Sequence, residues 1–262
     1  RRVLFRSVYN DPKMINEIEA TIAAGKTVTG HFPDGTGGML QAYIASGVDS
    51  CHETVAKDQA LEKARLGMHI MIREGSAWQD VKEVIKIITE DRIDSTNVSL
   101  VTDDIYPETL VEKGQLNHVV RRAIEEGVGP VEANQLATIN VARYFQIDKQ
   151  YGSISPGKIA DIILLDDLTN VESSTVITNG EVIVSDRELV KEIPGYEYPA
   201  YAKDTIKLQR VLQPADFMIS TDQQGQVDVN GIRIIENSAR TEKMTATLPV
   251  DGGIVKIDLE QD

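Results

Sequence analysis

Through the first half of the chain, short apolar runs alternate with longer stretches whose apolar residues recur every three or four positions. These are the spacings of strand and helix respectively. Asp11-Pro12 supplies an N-cap acceptor followed by proline at the first helical position, and Met14, Ile15, Ile18 and Ile22 then fall on one face. A helix is expected there, ended by Gly25. The unit then repeats: strand over 27–31, helix over 37–46 stopped by Gly47, strand over 48–52, helix over 56–66 stopped by Gly67, strand from His69 to Glu74, helix over 78–89 and strand over 97–103. Such alternation predicts βαβ units in a parallel sheet. Pro107 opens an amphipathic helix with Leu110, Val111, Val119, Val120 and Ile124 as expected core contacts, and Pro130 opens another reaching Phe145.

From Gly152 the pattern changes to strands and turns: Ile159 to Leu165, Thr175 to Ile177, an Asn179-Gly180 turn and Val182 to Val184. A β-rich domain is expected over 151–190. Residues 191–205, with Pro194, Gly195, Pro199 and three tyrosines, read as a linker. Beyond it, Asp216 to Ser220, Val227 to Ile235 and Ile254 to Leu259 suggest further β structure.

Composition narrows the functional classes. At 262 residues and 41% hydrophobic content the chain can bury a sizeable core. A net charge of −14 opposes sequence-independent binding to phosphates of nucleic acid or to anionic membrane surfaces, so neither partner is expected. The lone Cys51 excludes an internal disulfide framework, and no apolar stretch approaches the roughly 20 residues of a membrane span. A reducing, cytoplasmic setting fits best. The chain begins without Met, and Arg1-Arg2-Val3-Leu4-Phe5-Arg6-Ser7 matches the translation of a common sequencing-adapter tail, so residues 1–7 read as a scar, the alternative being a native basic strand.

In parallel α/β folds ligands gather at the C-terminal ends of strands. His31, His52 and Asp103 all fall there. Imidazoles and a carboxylate converging from separate rigid elements are what a metal ion needs. His69 opens its strand and belongs to the opposite face, and His118 sits within a helix beside Asn117, so both read as structural. Cys51 reads as a small buried residue rather than a nucleophile. Asp161, Asp166 and Asp167 read as surface of the β-rich domain.

The segments Gly30-His31, Ser50-Cys51-His52-Glu53, Met71-Ile72-Arg73-Glu74-Gly75-Ser76 and Thr102-Asp103-Asp104 resemble, in order and spacing, bacterial adenine deaminases of the amidohydrolase superfamily. Ala137-Thr138-Ile139-Asn140-Val141-Ala142 followed by the run from Gly152 to Ile162 resembles the general amidohydrolase passage from barrel to β-sandwich. The resemblance implies an α/β chain: the C-terminal half of a (β/α)8 TIM-type metallohydrolase barrel over 8–150, strands five to eight, followed by a β-rich domain. Residues 151–190 would be a β-sandwich portion, and 191–262 a linker and the start of that family's C-terminal domain. The family's His-x-His and its bridging carboxylate on an earlier strand are absent from this sequence.

By carry-over, His31, His52 and Asp103 are metal ligands of a dinuclear manganese, iron or zinc site in the full-length protein, and Asp103 also moves protons with Glu53 beside it. The implied reaction is hydrolytic deamination of adenine to hypoxanthine and ammonia, a purine-salvage step. Glu74, Ser76 and Asp104 would contact the small-molecule purine, while alternation turns Arg73 the other way or makes it a loop anchor. The oligomeric state stays open, homo-oligomers included. The alternatives are another amidohydrolase acting on a cyclic amide or imidazolone, and a non-catalytic α/β interaction module. This chain alone is expected to be inactive.

Overall fold

The computed structural model describes residues 8–192, 194–203, 205–236 and 241–257, so the expected scar over 1–7 and the strand end at Leu259 lie outside it. The chain divides into two compact units with the boundary between Lys191 and Glu192.

The first unit opens with α1 (Pro12–Ala23), whose N-terminus is capped by the Asp11 carboxylate accepting from the Lys13 and Met14 amides. There follow β1 (Thr29–Gly30), α2 (Gly37–Ala45), β2 (Ser50–Cys51), α3 (Lys57–Arg65), β3 (His69–Arg73) and β4 (Val98–Val101). The four strands form one parallel sheet in the order β1-β2-β3-β4, with Gly30 beside Cys51, Ser50 beside His69, and Ile70 to Arg73 beside Val98 to Val101. All of β3 is buried, as a central strand covered on both faces must be, and its sequence is correspondingly apolar between the end residues. The core gathers Leu40, Tyr43, Val48, Ile70, Ile72, Ile85 and Leu100 between sheet and helices. This is the fold of half an α/β barrel, with β1 and β4 as open edges among the described residues.

Three expected helices break. The segment 78–89 forms two single-turn helices, α4 (Val81–Val84) and α5 (Lys86–Thr89), meeting at Ile85. The helix from Pro107 stops at Glu112, and α6 (Pro107–Glu112) is separated from α7 (Leu116–Glu125) by Gly114, whose φ of +99° the helix cannot carry. That break leaves Leu110 and Val111 on the surface, Val111 being 86% exposed, whereas Val119 and Val120 are buried as expected. The stretch from Pro130 divides at Ala137-Thr138 into α8 (Pro130–Leu136) and α9 (Ile139–Tyr144), where the Thr138 hydroxyl donates back to the Asn134 carbonyl.

The β-rich part of the first unit is an antiparallel meander of β5 (Ile162–Leu165), β6 (Ser173–Thr178), β7 (Glu181–Ser185) and β8 (Glu188–Leu189). Its β6–β7 turn is Asn179-Gly180 with both residues at positive φ, the geometry for which that pair is suited. In the second unit a long hairpin pairs β9 (Gly225–Ile234) with β10 (Thr241–Asp251), and β11 (Ile254–Val255) adds to β10. The expected strand at Asp216 is instead a 3-10 turn over Pro214–Phe217, and β10 is additional to the expected elements. Among the described residues no helix is long and apolar enough to cross a membrane.

Candidate metal centre

The site forms where the β1–β2 ladder stops. Its last pair is Gly30 and Cys51, and the next residue on β1 and on β2 is His31 and His52 respectively. Gly30 is required by close packing: a Cβ there would stand 2.3 Å from Val48 Cγ1, 2.4 Å from the Tyr43 hydroxyl and 2.7 Å from the Ser50 carbonyl oxygen. The same Tyr43 hydroxyl accepts from the His31 amide at 2.8 Å, which fixes the chain as it leaves the strand.

The two imidazoles meet edge to face, His31 Nδ1 lying 3.3 Å from His52 Nε2. Glu53 Oε1 lies 3.2 Å from His31 Nε2 and 3.5 Å from His52 Nε2. These three residues present ligand atoms within 4.8 Å of one another. Two donors bound to one ion at about 2.1 Å are separated by roughly 3.0–3.4 Å, which the pair His31 Nδ1 and His52 Nε2 meets, while Glu53 Oε1 is 3.5 Å from that His52 nitrogen and faces the other ring nitrogen of His31. Burial pulls the His31 imidazole below its ordinary pKa against the opposing attraction of Glu53, which favours the neutral form a metal requires.

Of the two readings open for Arg73, turned the other way or anchoring a loop, the structure shows the second. The Arg73 guanidinium is fully buried and lies against three carboxylates. Nε donates to Asp80 Oδ2 at 2.6 Å, while Nη1 reaches Asp103 Oδ2 at 3.0 Å and Glu53 Oε1 at 3.1 Å. The Trp78 ring lies against it, 4.7 Å from Cζ. Burial alone would lower the Arg73 pKa, but Asp80, Glu53 and Asp103 outweigh it and keep the group charged. Three carboxyl groups crowd one guanidinium, and burial pushes the Asp80 carboxyl above its usual range, so the cluster is rich in acidic groups that a divalent cation would offset. The donor set therefore fits a metal ion by type, spacing and charge. An arginine closing an otherwise apolar strand was the sequence signal for this role.

Other expected site residues have different surroundings. Asp103, expected as a ligand, stands outside the three-residue group; its Oδ2 belongs to Arg73, and the carboxylate beside the imidazoles is Glu53. Asp103 holds a left-handed backbone conformation with φ of +59°, a strain that concentrates at functional positions. Glu74, Ser76 and Asp104, expected to contact purine, make the following contacts within the protein. Glu74 is buried, accepting from the Val81 amide at 3.2 Å and from Arg122 Nε at 3.3 Å. The Ser76 hydroxyl donates to Thr109 Oγ1 and accepts from the Tyr106 amide. Asp104 Oδ2 accepts from the Ala77 amide at 2.7 Å, and its carbonyl accepts from the Ser76 amide. These contacts tie the loop after β3 to the loop after β4. His69 sits at the other end of the sheet, 3.0 Å from the Ser99 hydroxyl and stacked on Tyr144, and His118 lies on α7. Cys51 is buried and unbridged.

The amidohydrolase family profile matches residues 9–184. The chain belongs to the amidohydrolase family. This amidohydrolase is 44% identical over 255 residues to an adenine deaminase of Moorella thermoacetica, a match covering 96% of this chain and 43% of that protein. Adenine deaminase 3 of Rhizobium meliloti is likewise 44% identical, with 97% of this chain and 43% of the relative covered. An adenine deaminase of Rubrobacter xylanophilus is 42% identical over 260 residues, again covering 43% of the relative. The chain thus spans less than half the length of these curated relatives. Among solved structures, beta-aspartyl dipeptidase from Fervidobacterium islandicum AW-1 aligns with a TM-score of 0.55 at 21% identity, covering 73% of this chain and 56% of that one. N-acetylglucosamine-6-phosphate deacetylase from Pasteurella Multocida aligns with a TM-score of 0.52 at 16% identity, covering 66% of this chain and 54% of that one. At that identity the likeness speaks to fold alone, and it agrees with the half-barrel sheet.

Proposed function

We propose that this chain is part of an adenine deaminase, in which β1 to β4 serve as the fifth to eighth barrel strands, 151–190 as a β-sandwich portion and 191–262 as a linker leading into a C-terminal domain. The observation that carries the reading is the His31, His52 and Glu53 group at two adjoining strand ends, joined to Asp103 through one nitrogen of Arg73. The names of the relatives supply the substrate: adenine, converted to hypoxanthine and ammonia. A cytoplasmic, purine-salvage role goes with that reaction.

His31, His52 and Glu53 would hold a divalent ion, for which zinc, manganese and iron all suit the donor types, and a dinuclear site would draw its other ligands from elsewhere in the full-length protein. When bound, the ion lowers the pKa of water and so supplies a nucleophile at neutral pH. The protein's own contribution centres on Asp103. Arg73 Nη1 donates to its Oδ2 at 3.0 Å, leaving Oδ1 to accept a proton from the attacking water. As the new C–O bond forms at C6 of adenine and the C–N bond breaks, the same oxygen returns that proton to the departing amine. The same Arg73 Nη1 lies 3.1 Å from Glu53 Oε1, so one nitrogen ties the Glu53 and Asp103 carboxylates to a common point.

The test uses the full-length parent enzyme. Replacing His31 or His52 by alanine is expected to lower bound metal, measured by elemental analysis, and to bring ammonia release from adenine to background. Unchanged metal content in both variants, or turnover of a cyclic amide but not of adenine by the unaltered enzyme, would overturn the proposal.

A further inference from the structure

The β1–β2 ladder contains only the pairs Thr29 with Ser50 and Gly30 with Cys51, so hydrogen bonding between these strands ends one residue before His31 and His52. Something other than the sheet must set the separation of the two imidazoles. Past the last pair, side chains take over the main-chain groups of Phe32. Its amide donates to Cys51 Sγ at 3.4 Å, and its carbonyl oxygen accepts from Lys63 Nζ at 2.6 Å. Lys63 comes from α3 and is fully buried; the same Nζ donates to Thr54 Oγ1 at 2.8 Å and lies 3.7 Å from Cys51 Sγ. Three acceptors satisfy the three donors of an ammonium group. The Phe32 ring, stacked on Tyr43, closes the remaining side with Nζ 5.7 Å from its centroid.

A fully buried lysine is costly unless each donor is satisfied, and no carboxylate lies among its hydrogen-bond partners. What it does make is a bridge from the residue after His31 to the residues on both sides of His52 and Glu53. We propose that Lys63 is a positioning residue, a buried cross-brace that continues the β1–β2 register beyond the ladder and holds His31 and His52 at the spacing of one shared ion. Cys51 is the second member of the brace. The inference rests on the metal reading of the site and adds to it a residue that touches neither ligand.

The experiment compares the 262-residue chain with Lys63→Met, with the milder Thr54→Val, and with Leu136→Ala as a core control that thins packing elsewhere. Zinc affinity is read by competition with a chromophoric chelator, and amide exchange by NMR. Lys63→Met is expected to weaken zinc binding by about tenfold or more, as loss of a ligand-orienting partner does. It is also expected to speed exchange at the His31 and Phe32 amides while Ile70 and Ile72 keep their protection. Thr54→Val gives the same pattern in lesser degree, and Leu136→Ala lowers the melting temperature with zinc affinity retained. Zinc binding within twofold of the unaltered chain in Lys63→Met, with His31 and Phe32 still protected, would overturn the proposal. An unaltered chain that takes up no zinc counts against the metal reading, and the exchange data then decide the brace by themselves.

Discussion

At Arg73 one side chain decides how three carboxylates behave. Removing a buried guanidinium while leaving its partners in place strands uncompensated charge, at a cost of about 3–5 kcal/mol. Arg73→Met should show that loss in urea unfolding. Asp103 offers a cleaner separation of backbone from chemistry. Its φ of +59° is tolerated by asparagine far better than by alanine. Asp103→Asn is therefore expected to leave the melting temperature of the full-length enzyme within a few degrees and to abolish proton transfer, seen as loss of ammonia release, whereas Asp103→Ala should lower both. The imidazoles at 31 and 52 were legible in the sequence because each closes a short apolar run, which fixes its end of the sheet. Which carboxylate lies beside the imidazoles was not legible, since Glu53 and Asp103 both follow strands and Arg73 Nη1 reaches both; the fold places Glu53 Oε1 3.2 Å from His31 and 3.5 Å from His52. Alternation alone left Arg73 either turned away or anchoring a loop, and only the fold shows its guanidinium tying Asp80 and Asp103 and reaching Glu53 as well.

Among the elements, the shortest strands carry the most demanding contacts. β1 has two residues, and Gly30→Ala would force Tyr43 and β2 apart. Overpacking of that kind costs about 1–3 kcal/mol, and thermal unfolding should register it. At the far end of the sheet, His69 opens β3 under cover of Tyr144, and burial lowers its pKa to about 4 from 6.5. The unfolded chain thus takes up a proton that the folded chain refuses. Its contribution to stability is complete above pH 6.5, declines as the pH falls, and is gone near pH 4, about 3 kcal/mol in all. Urea unfolding at pH 7 and pH 5 should show a drop of about 2 kcal/mol more in the unaltered chain than in His69→Gln. The order of strands and helices was visible from periodicity and from glycine and proline stops. The interruptions at Ile85 and Ala137-Thr138 were not, because apolar spacing continues smoothly through them while the hydrogen bonding does not.

For the whole molecule, the open sheet is the dominant fact. Both β1 and β4 are edge strands of the sheet among the described residues, and such edges invite pairing with other chains. The isolated chain, with its three-residue donor group, is expected to release no ammonia from adenine at an enzymatic rate; steady release by the purified chain would contradict this. The proposed brace and the candidate cation-binding group all fall between His31 and Lys63, across two consecutive βα units. Heredity of the two halves of the chemistry is therefore uneven. On the proposed reading, lesions within this chain that weaken the ion should crowd between codons 31 and 63, while a change in how the proton is handled maps downstream at codon 103, so recombination between them can exchange one trait and leave the other untouched.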